Sequence, residues 1–344
     1  MNTQSDRPVL GITMGDPAGI GPEIIIKSLA DPEILNSCIP VVLGDIEILK
    51  KADVDSEILP KLAITDELNC DLSNFPKGFL MCLSNLNPDV AKLGHPTVET
   101  GSAMETYINA GVDLALSGAI DALVTGPITK TGLKLAGSSF HGHTELIAHK
   151  TGTDNFAMMM AGPRLKVVLT TIHIPLSQVP ERLSSQEITR IINLTRNTLI
   201  TRFGIKSPRL AVAGLNPHAG EQGMFGNEEA DIILPAIIEA QEKGVDIRGP
   251  YPPDTVFFQA VEGQFDAVIC MYHDQGLIPF KLVHFRDGVN TTIGLPIIRT
   301  SVDHGTAYDI AWTGKADPSS MKEAIKMAAG QAINQKKHGN SNAN

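Results

Sequence analysis

The chain has 344 residues, 42% of them hydrophobic and 19% charged, enough for one large or two medium domains with ample core. Its 28 Lys and Arg stand against 38 Asp and Glu, a net charge of −10. That balance argues against a general nucleic-acid or membrane-surface binder, both of which need a concentrated positive field, but leaves an anionic substrate open.

The N-terminal stretch MNTQSDRPVLGITMG has no basic segment leading into a long apolar run, so no signal peptide is expected. No window reaches the roughly 18 uninterrupted apolar residues of a membrane span. Cys38, Cys70, Cys82 and Cys270 are scattered, unlike a thiolate metal site. A soluble protein of the reducing cytoplasm is the expectation, with Cys270, inside AVICMYH, as core filler rather than nucleophile.

In chain order, apolar runs at 9–15, 39–45, 122–128, 166–174, 208–216 and 266–273 read as strands, each ending at a Gly- or His-bearing loop. Longer helical patterns lie between them. Residues 101–117 carry Met104, Ile108 and Val112 at fourfold spacing before Gly118. Residues 185–203 carry Ile188, Ile191, Thr195 and Leu199 on one face, and a third helix begins near Glu228 and sets Ile233 and Ile237 one turn apart before Gly244. The stretch 51–97, broken by Pro60, Pro76, Pro88 and Pro96, reads as short strands and turns on the rim of the first domain. The polar tail 335–344 reads as frayed. Alternation at this tempo predicts an α/β protein with mostly parallel sheets, covered on both faces.

In such folds the loops after the strands hold the site. Three predicted strands deliver histidine there: His173, His218 and His273. Three neutral imidazoles suit a divalent metal with positions left open for substrate oxygens; singly, each is as well explained as an ordinary polar residue. Asp274 either joins or orients that shell, or caps a helix. GDPAGIGPE (15–23) does not match GxGxxG and is either a loop lining a ligand cleft or a tight turn before a helix. In FHGHTEL (140–146), His143 and Thr144 suit a small polar substrate, while Thr144 equally suits a helix cap. Lys130 is an anion contact or a solvated lysine. Residues 280–318 are the densest in chemistry: Lys281, Asn290 and Arg299 supply a point charge, an amide and a planar donor fork for a phosphorylated, carboxylated substrate. HGTA (304–307) reads as a loop around a planar ligand or as a rigid turn.

These segments also carry a resemblance. GDPAGIGPE (15–23), TGPITK (125–130), GHTE (142–145), TIHIPL (171–176), LNPHAGE (215–221), YHDQGL (272–277) and GLPIIRTSVDHGTA (294–307) are similar, in order along almost the whole chain, to the 4-hydroxythreonine-4-phosphate dehydrogenase family of pyridoxal phosphate biosynthesis. The last segment also resembles the cofactor loop of isocitrate and isopropylmalate dehydrogenases. The resemblance implies an isocitrate/isopropylmalate dehydrogenase-like fold: two α/β domains around an active-site cleft, not a Rossmann nucleotide fold. Residues 1–127 and 285–344 would form the first domain, with the cofactor loops; residues 128–284 would form the second, with the metal site and dimer interface.

His173, His218 and His273 are then implied as metal ligands, His273 serving the neighbouring subunit of a homodimer. His143, Thr144, Lys281, Asn290 and Arg299 are implied as substrate contacts. Gly294, Asp303, His304, Gly305 and Thr306 are implied as contacts to NAD or NADP. Zinc, magnesium, manganese and cobalt all remain open as the metal. The implied reaction oxidises 4-phosphooxy-L-threonine at C3 and decarboxylates the β-keto acid to 3-amino-1-hydroxyacetone phosphate. Asp254, after a proline-stiffened turn, is the candidate general base, or else a turn or cap residue. Trp312 departs from the pattern, since relatives have glycine at that position. The competing readings are a dehydrogenase of D-threonate or D-erythronate 4-phosphate giving dihydroxyacetone phosphate, and a non-catalytic metabolite-binding module.

Overall fold

The computed structural model describes residues 7–53, 58–65, 78–87 and 94–342. Cys70, Pro76 and Pro88, and the last two residues of the tail, lie outside them. Two compact units are present: Met1–Asp154 with Leu295–Ile333, and Asn155–Gly294 with Asn334–Asn344. Where the resemblance puts boundaries near 127 and 285, these units divide at 154 and 294. Among the described residues no helix is long and apolar enough to cross a membrane.

The first unit runs β1 (Val9–Thr13), α1 (Gly21–Leu29), α2 (Pro32–Ser37), β2 (Ile39–Gly44), α3 (Ile46–Ala52), β3 (Ala63–Thr65), β4 (Phe79–Cys82), α4 (Val98–Leu116), β5 (Ala122–Thr125), α5 (Lys130–Leu135) and α6 (His143–Lys150). Late in the chain β12 (Arg299–Ser301) and α12 (Ser319–Asn342) return to it. Its strands order as β3-β4-β2-β1-β5-β12, with every pairing parallel. A parallel sheet covered on both faces needs apolar residues at every position, and β2 and β5 are buried throughout. The expected strand ranges therefore hold in place, each shortened at its loop end.

Helix α4 shows how local sequence sets an element. Thr97 and Thr100 cap each other reciprocally, the Thr97 hydroxyl accepting from Thr100 N at 3.2 Å and the Thr100 hydroxyl from Thr97 N at 2.9 Å. Met104, Ile108 and Val112 are buried as their spacing requires, each contributing about 1.5–3 kcal/mol. Gly118 follows with φ +75°. Residues 128–154 stay with this unit because α5 and α6 both pack on α4.

The second unit holds β6 (Ala157–Ala161), β7 (Lys166–Leu169), α7 (Val179–Arg182), α8 (Ser185–Thr201), β8 (Leu210–Ala213), α9 (Leu234–Glu242), β9 (Ile247–Tyr251), α10 (Val256–Val261), β10 (Ala267–Cys270), α11 (His273–Val283) and β11 (Val289–Ile293). The strand order is β11-β6-β7-β10-β8-β9, antiparallel at β11/β6 and β6/β7 and parallel elsewhere. Ile188, Ile191, Thr195 and Leu199 on α8, and Ile233 and Ile237 around α9, are buried as expected. Cys270 is fully buried in the core and burial pushes its thiol upward, so it is inert filler.

Two expectations need correction, and one helix goes beyond the pattern reading. The run 266–273 is not one strand: β10 stops at Cys270 and His273 opens α11. Helix α11 escapes a pattern reading because it contains Gly276 and Pro279. Gly276 is there for close approach, since a Cβ at that position would stand 2.9 Å from Leu169 Cδ2 and 3.0 Å from Cys270 Sγ. The tail is helical through Asn342 rather than frayed. Ala324, Ile325, Ala328, Ala329 and Ala332 anchor α12, and the polar residues beyond propagate a nucleus already formed.

Candidate active site

In the first unit, β1, β5 and β12 lie side by side, so their following loops share one sheet edge. Arg299 on β12 is 3% exposed and donates from Nε and Nη2 to Thr125 Oγ1 at 3.2 and 2.8 Å. Burial lowers its guanidinium to about 10, so it keeps its charge at neutral pH. His143 is the first residue of α6. Its Nε2 is shut from solvent and has no hydrogen-bond partner among the described residues. Burial first, then the charge of Arg299, hold this imidazole well below its ordinary range and therefore neutral. A covered, unpartnered nitrogen beside a buried cation is a setting that an incoming anion or hydroxyl would complete. Thr144 lies half-buried in the same first turn and does not cap it; the cap is Gly142, with no side-chain bond. Lys130 opens α5 and is exposed.

The glycine-rich loop 15–21 and the loop 303–308 hold each other within this unit. Asp16, fully buried, accepts from Ala18 N at 2.9 Å and from the Tyr308 hydroxyl at 2.5 Å. Ile20 N donates to Thr306 O at 3.0 Å. Within the second loop, His304 and Gly305 are exposed, Asp303 is half-buried, and Thr306 is buried. Pro22 and Glu23 sit in the first turn of α1, as their types suggest. Neither Asp16 nor Tyr308 was singled out by pattern, because only folding brings residues 292 positions apart together.

Trp312 adopts φ +63°, the left-handed region that glycine occupies freely. The resemblance expects glycine there, a residue that this angle does not strain. Its ring lies under Lys51, whose Nζ is 5.3 Å from the ring centroid.

In the second unit, the ends of β7 and β10 are laced by Thr170 N to Cys270 O (2.8 Å) and Thr171 Oγ1 to Met271 O (2.7 Å). This brings His173 and His273 together, ring centroids 5.5 Å apart. Both line a cavity of about 390 Å³ with Ile172, Ile174, Leu176, Val179, Tyr272 and Asp274. Asp274 does not cap α11, whose cap is Tyr272; instead its Oδ1 lies 2.6 Å from His273 Nδ1. A carboxylate accepting from Nδ1–H leaves Nε2 with its lone pair outward, the arrangement that orients a metal-binding imidazole. Gln275, unremarked by pattern reading, joins the ends of β10 and β8 by donating to Gly214 O at 2.6 Å and accepting from Met271 N at 2.6 Å.

His218 lies on the loop after β8, its ring centroid 6.1 Å from that of Phe225. Residues His218, Ala219, Gly220, Glu221 and Gln222 are successively left-handed, with φ between 43° and 84°. Each non-glycine residue there costs roughly 1–2 kcal/mol, and such strain concentrates at functional sites. Among the described residues no group of three His, Cys, Asp or Glu side chains converges as a metal set. The described residues therefore offer the His173–His273 imidazole pair, of suitable donor chemistry, with His218 on a different loop. The resemblance assigns His273 to a neighbouring subunit; here its ring lies beside His173 of its own chain. Lys281 on α11 and Asn290 on β11 are half-buried, Gly294 follows β11 with φ +90°, and Asp254 is exposed in the turn before α10.

Comparison with known proteins bears on this geometry. A protein named 4-hydroxythreonine-4-phosphate dehydrogenase from Desulforapulum autotrophicum is 59% identical over 336 residues, covering 95% of this chain and 96% of that one. A D-threonate 4-phosphate dehydrogenase from Salmonella typhimurium is 45% identical, covering 94% and 98%. The crystal structure of a 4-hydroxythreonine-4-phosphate dehydrogenase from Klebsiella pneumoniae superposes with a TM-score of 0.84 at 43% identity, covering 97% of this chain and all of that one. The family model described as pyridoxal phosphate biosynthetic protein PdxA matches residues 36–328. With that match and these identities, the chain belongs to the PdxA family of dehydrogenases.

Proposed function

We propose that this enzyme oxidises 4-hydroxy-L-threonine 4-phosphate at C3 with NAD or NADP and releases CO₂, giving 3-amino-2-oxopropyl phosphate. The observation that carries the reading is the covered, unpartnered His143 Nε2 beside the buried Arg299 guanidinium, in a chain 59% identical to a relative of that name.

Arg299 grips an anionic group of the substrate with a fork already oriented by Thr125. His143, kept neutral, donates or accepts a hydrogen bond without adding charge. Thr144, Lys281 and Asn290 are further substrate contacts in this reading. Anchoring through remote groups positions C3 for the chemical step. When bound, a nicotinamide dinucleotide takes the hydride and a divalent ion withdraws charge from the reacting oxygen. Gly294, Asp303, His304, Gly305 and Thr306 would contact the dinucleotide, and His173, His218 and His273 would hold the ion. Asp254 is the candidate base of this scheme, supported only by the turn that carries it.

A homodimer with shared sites belongs to the same reading. It accounts for a ligand set that the described residues of one chain do not gather. It also accounts for apolar side chains in water on and after α11: Ile278 at 68%, Leu282 at 87% and Phe285 at 80% exposure. A cytoplasmic setting fits the buried, protonated Cys38 and Cys270 thiols.

A second reading, D-threonate 4-phosphate as substrate, is favoured by the Salmonella relative. The two differ at C2, amine against hydroxyl. The purified enzyme, supplied with divalent metal and NAD or NADP, is assayed for reduced dinucleotide on each substrate. Faster turnover of the amino acid supports the first reading; turnover of the acid-sugar phosphate alone replaces it with the second.

A further inference from the structure

The left-handed turn that carries His218 needs something to hold it, and the structure shows what does. Glu229 is 5% exposed. Its Oε1 accepts from Leu215 N and from Asn216 N, both at 2.7 Å, and its Oε2 from Asn216 Nδ2 at 3.0 Å. The loop closes around this carboxylate from both ends. A Cβ at Gly214 would lie 3.1 Å from Oε1, and one at Gly220 would lie 2.7 Å from Oε2. Gly220 is itself in the strained turn, with φ +84°. Glu229 also opens a π-helical turn, Glu229–Ile233, ahead of α9. Such wide turns are rare and occur at functional sites. In the sequence NEEAD this residue looks like one of several surface acids.

We infer that Glu229 is a positioning residue: its carboxylate clamps the base of the left-handed turn and so fixes His218 for metal binding. This rests on the proposed reading of His218 as a metal ligand. An ionised carboxylate is an acceptor only, so it satisfies three donors at once where the chain leaves β8. Without it, two backbone N–H groups lose their partner and the strained turn relaxes, carrying His218 out of place. The carboxylate itself touches neither metal nor substrate in this inference.

The test measures Zn²⁺ affinity of the full-length metal-free protein by calorimetry for the parent, Glu229→Gln, Glu229→Ala and His218→Ala, with melting temperature alongside. Outer partners of a metal ligand change affinity by about 10–100-fold. Glu229→Ala is expected to weaken Zn²⁺ binding by that factor. Glu229→Gln, whose amide oxygen still accepts from both backbone N–H groups, should recover much of the loss. With metal saturating, kcat should fall while KM for the dinucleotide stays unchanged. If Glu229→Ala fails to fold, Glu229→Gln decides, because its amide nitrogen faces the Asn216 Nδ2 donor and cannot accept from it: affinity weakened severalfold supports the clamp, and affinity equal to the parent overturns it. Parental Zn²⁺ affinity in both Glu229 variants, with affinity lost in His218→Ala, overturns the clamp and leaves the ligand reading standing. Parental affinity in His218→Ala overturns the ligand reading and the clamp with it.

Discussion

The Tyr308 hydroxyl donates a 2.5 Å hydrogen bond to Oδ2 of Asp16, a carboxylate without solvent exposure. Together with Ile20 N to Thr306 O, this bond ties the loop after β1 to the loop after β12. Tyr308→Phe preserves the ring and deletes the donor, leaving a buried acceptor short of a partner. The expected cost is about 1–3 kcal/mol, read as a lowered midpoint in chemical denaturation. An unchanged midpoint would show that the bond contributes nothing to folding.

Burial raises the Asp16 carboxyl above its ordinary value of 3.8, outweighing the bonds from Tyr308 and Ala18. The folded state therefore holds this proton to higher pH than the unfolded chain does. Its contribution to stability is present below the ordinary value and declines as pH rises through the window up to the folded value. Asp16→Asn, which cannot titrate, should remove that segment of the stability–pH curve. Denaturation midpoints collected across the acid range check it, and superimposable curve shapes for parent and variant would refute the assignment.

Arg299 meets Thr125 with a planar fork that an ammonium cannot reproduce. Arg299→Lys should lose about 2 kcal/mol of substrate interaction, the scale of a hydrogen bond to a charged group, or roughly 30-fold in kcat/KM. Steady-state kinetics with the phosphorylated substrate measures this. A change below about twofold, judged against that scale, would remove Arg299 from the binding role.

His143 gives a separate pH signature. Burial and Arg299 lower its pKa from 6.5, so the unfolded chain binds this proton where the folded chain does not. Its contribution to stability is complete above the ordinary value and is lost as pH falls from there toward the folded value. Imidazole resonances followed by NMR should show His143 remaining neutral through pH 6.5, while His143→Asn loses the acid-side decline. Midpoint protonation at the ordinary value would contradict the buried setting.

The apolar side chains of Leu282 and Phe285 face water in the isolated chain. If the proposed homodimer shares its metal sites, Leu282→Glu with Phe285→Glu should convert dimer to monomer in sedimentation and abolish turnover. A fully active monomer would separate catalysis from assembly.

Much of this molecule is written in short-range pattern. The parallel strands, α4 and α8 follow from apolar periodicity and caps, since burying one face is a local requirement. The histidines at strand ends, and the basic residues among glycine turns, were visible for the same reason. Strand β9, with Gly and Pro inside IRGPY, and α11, with Gly276 and Pro279, were hidden because packing overrides their poor propensities. Tertiary structure alone placed Tyr308 on Asp16, Arg299 beside His143, and Glu229 under the turn bearing His218. Those relations join residues distant in the chain or reversed in backbone hand, and they depend on which groups lose water together. No periodicity records that.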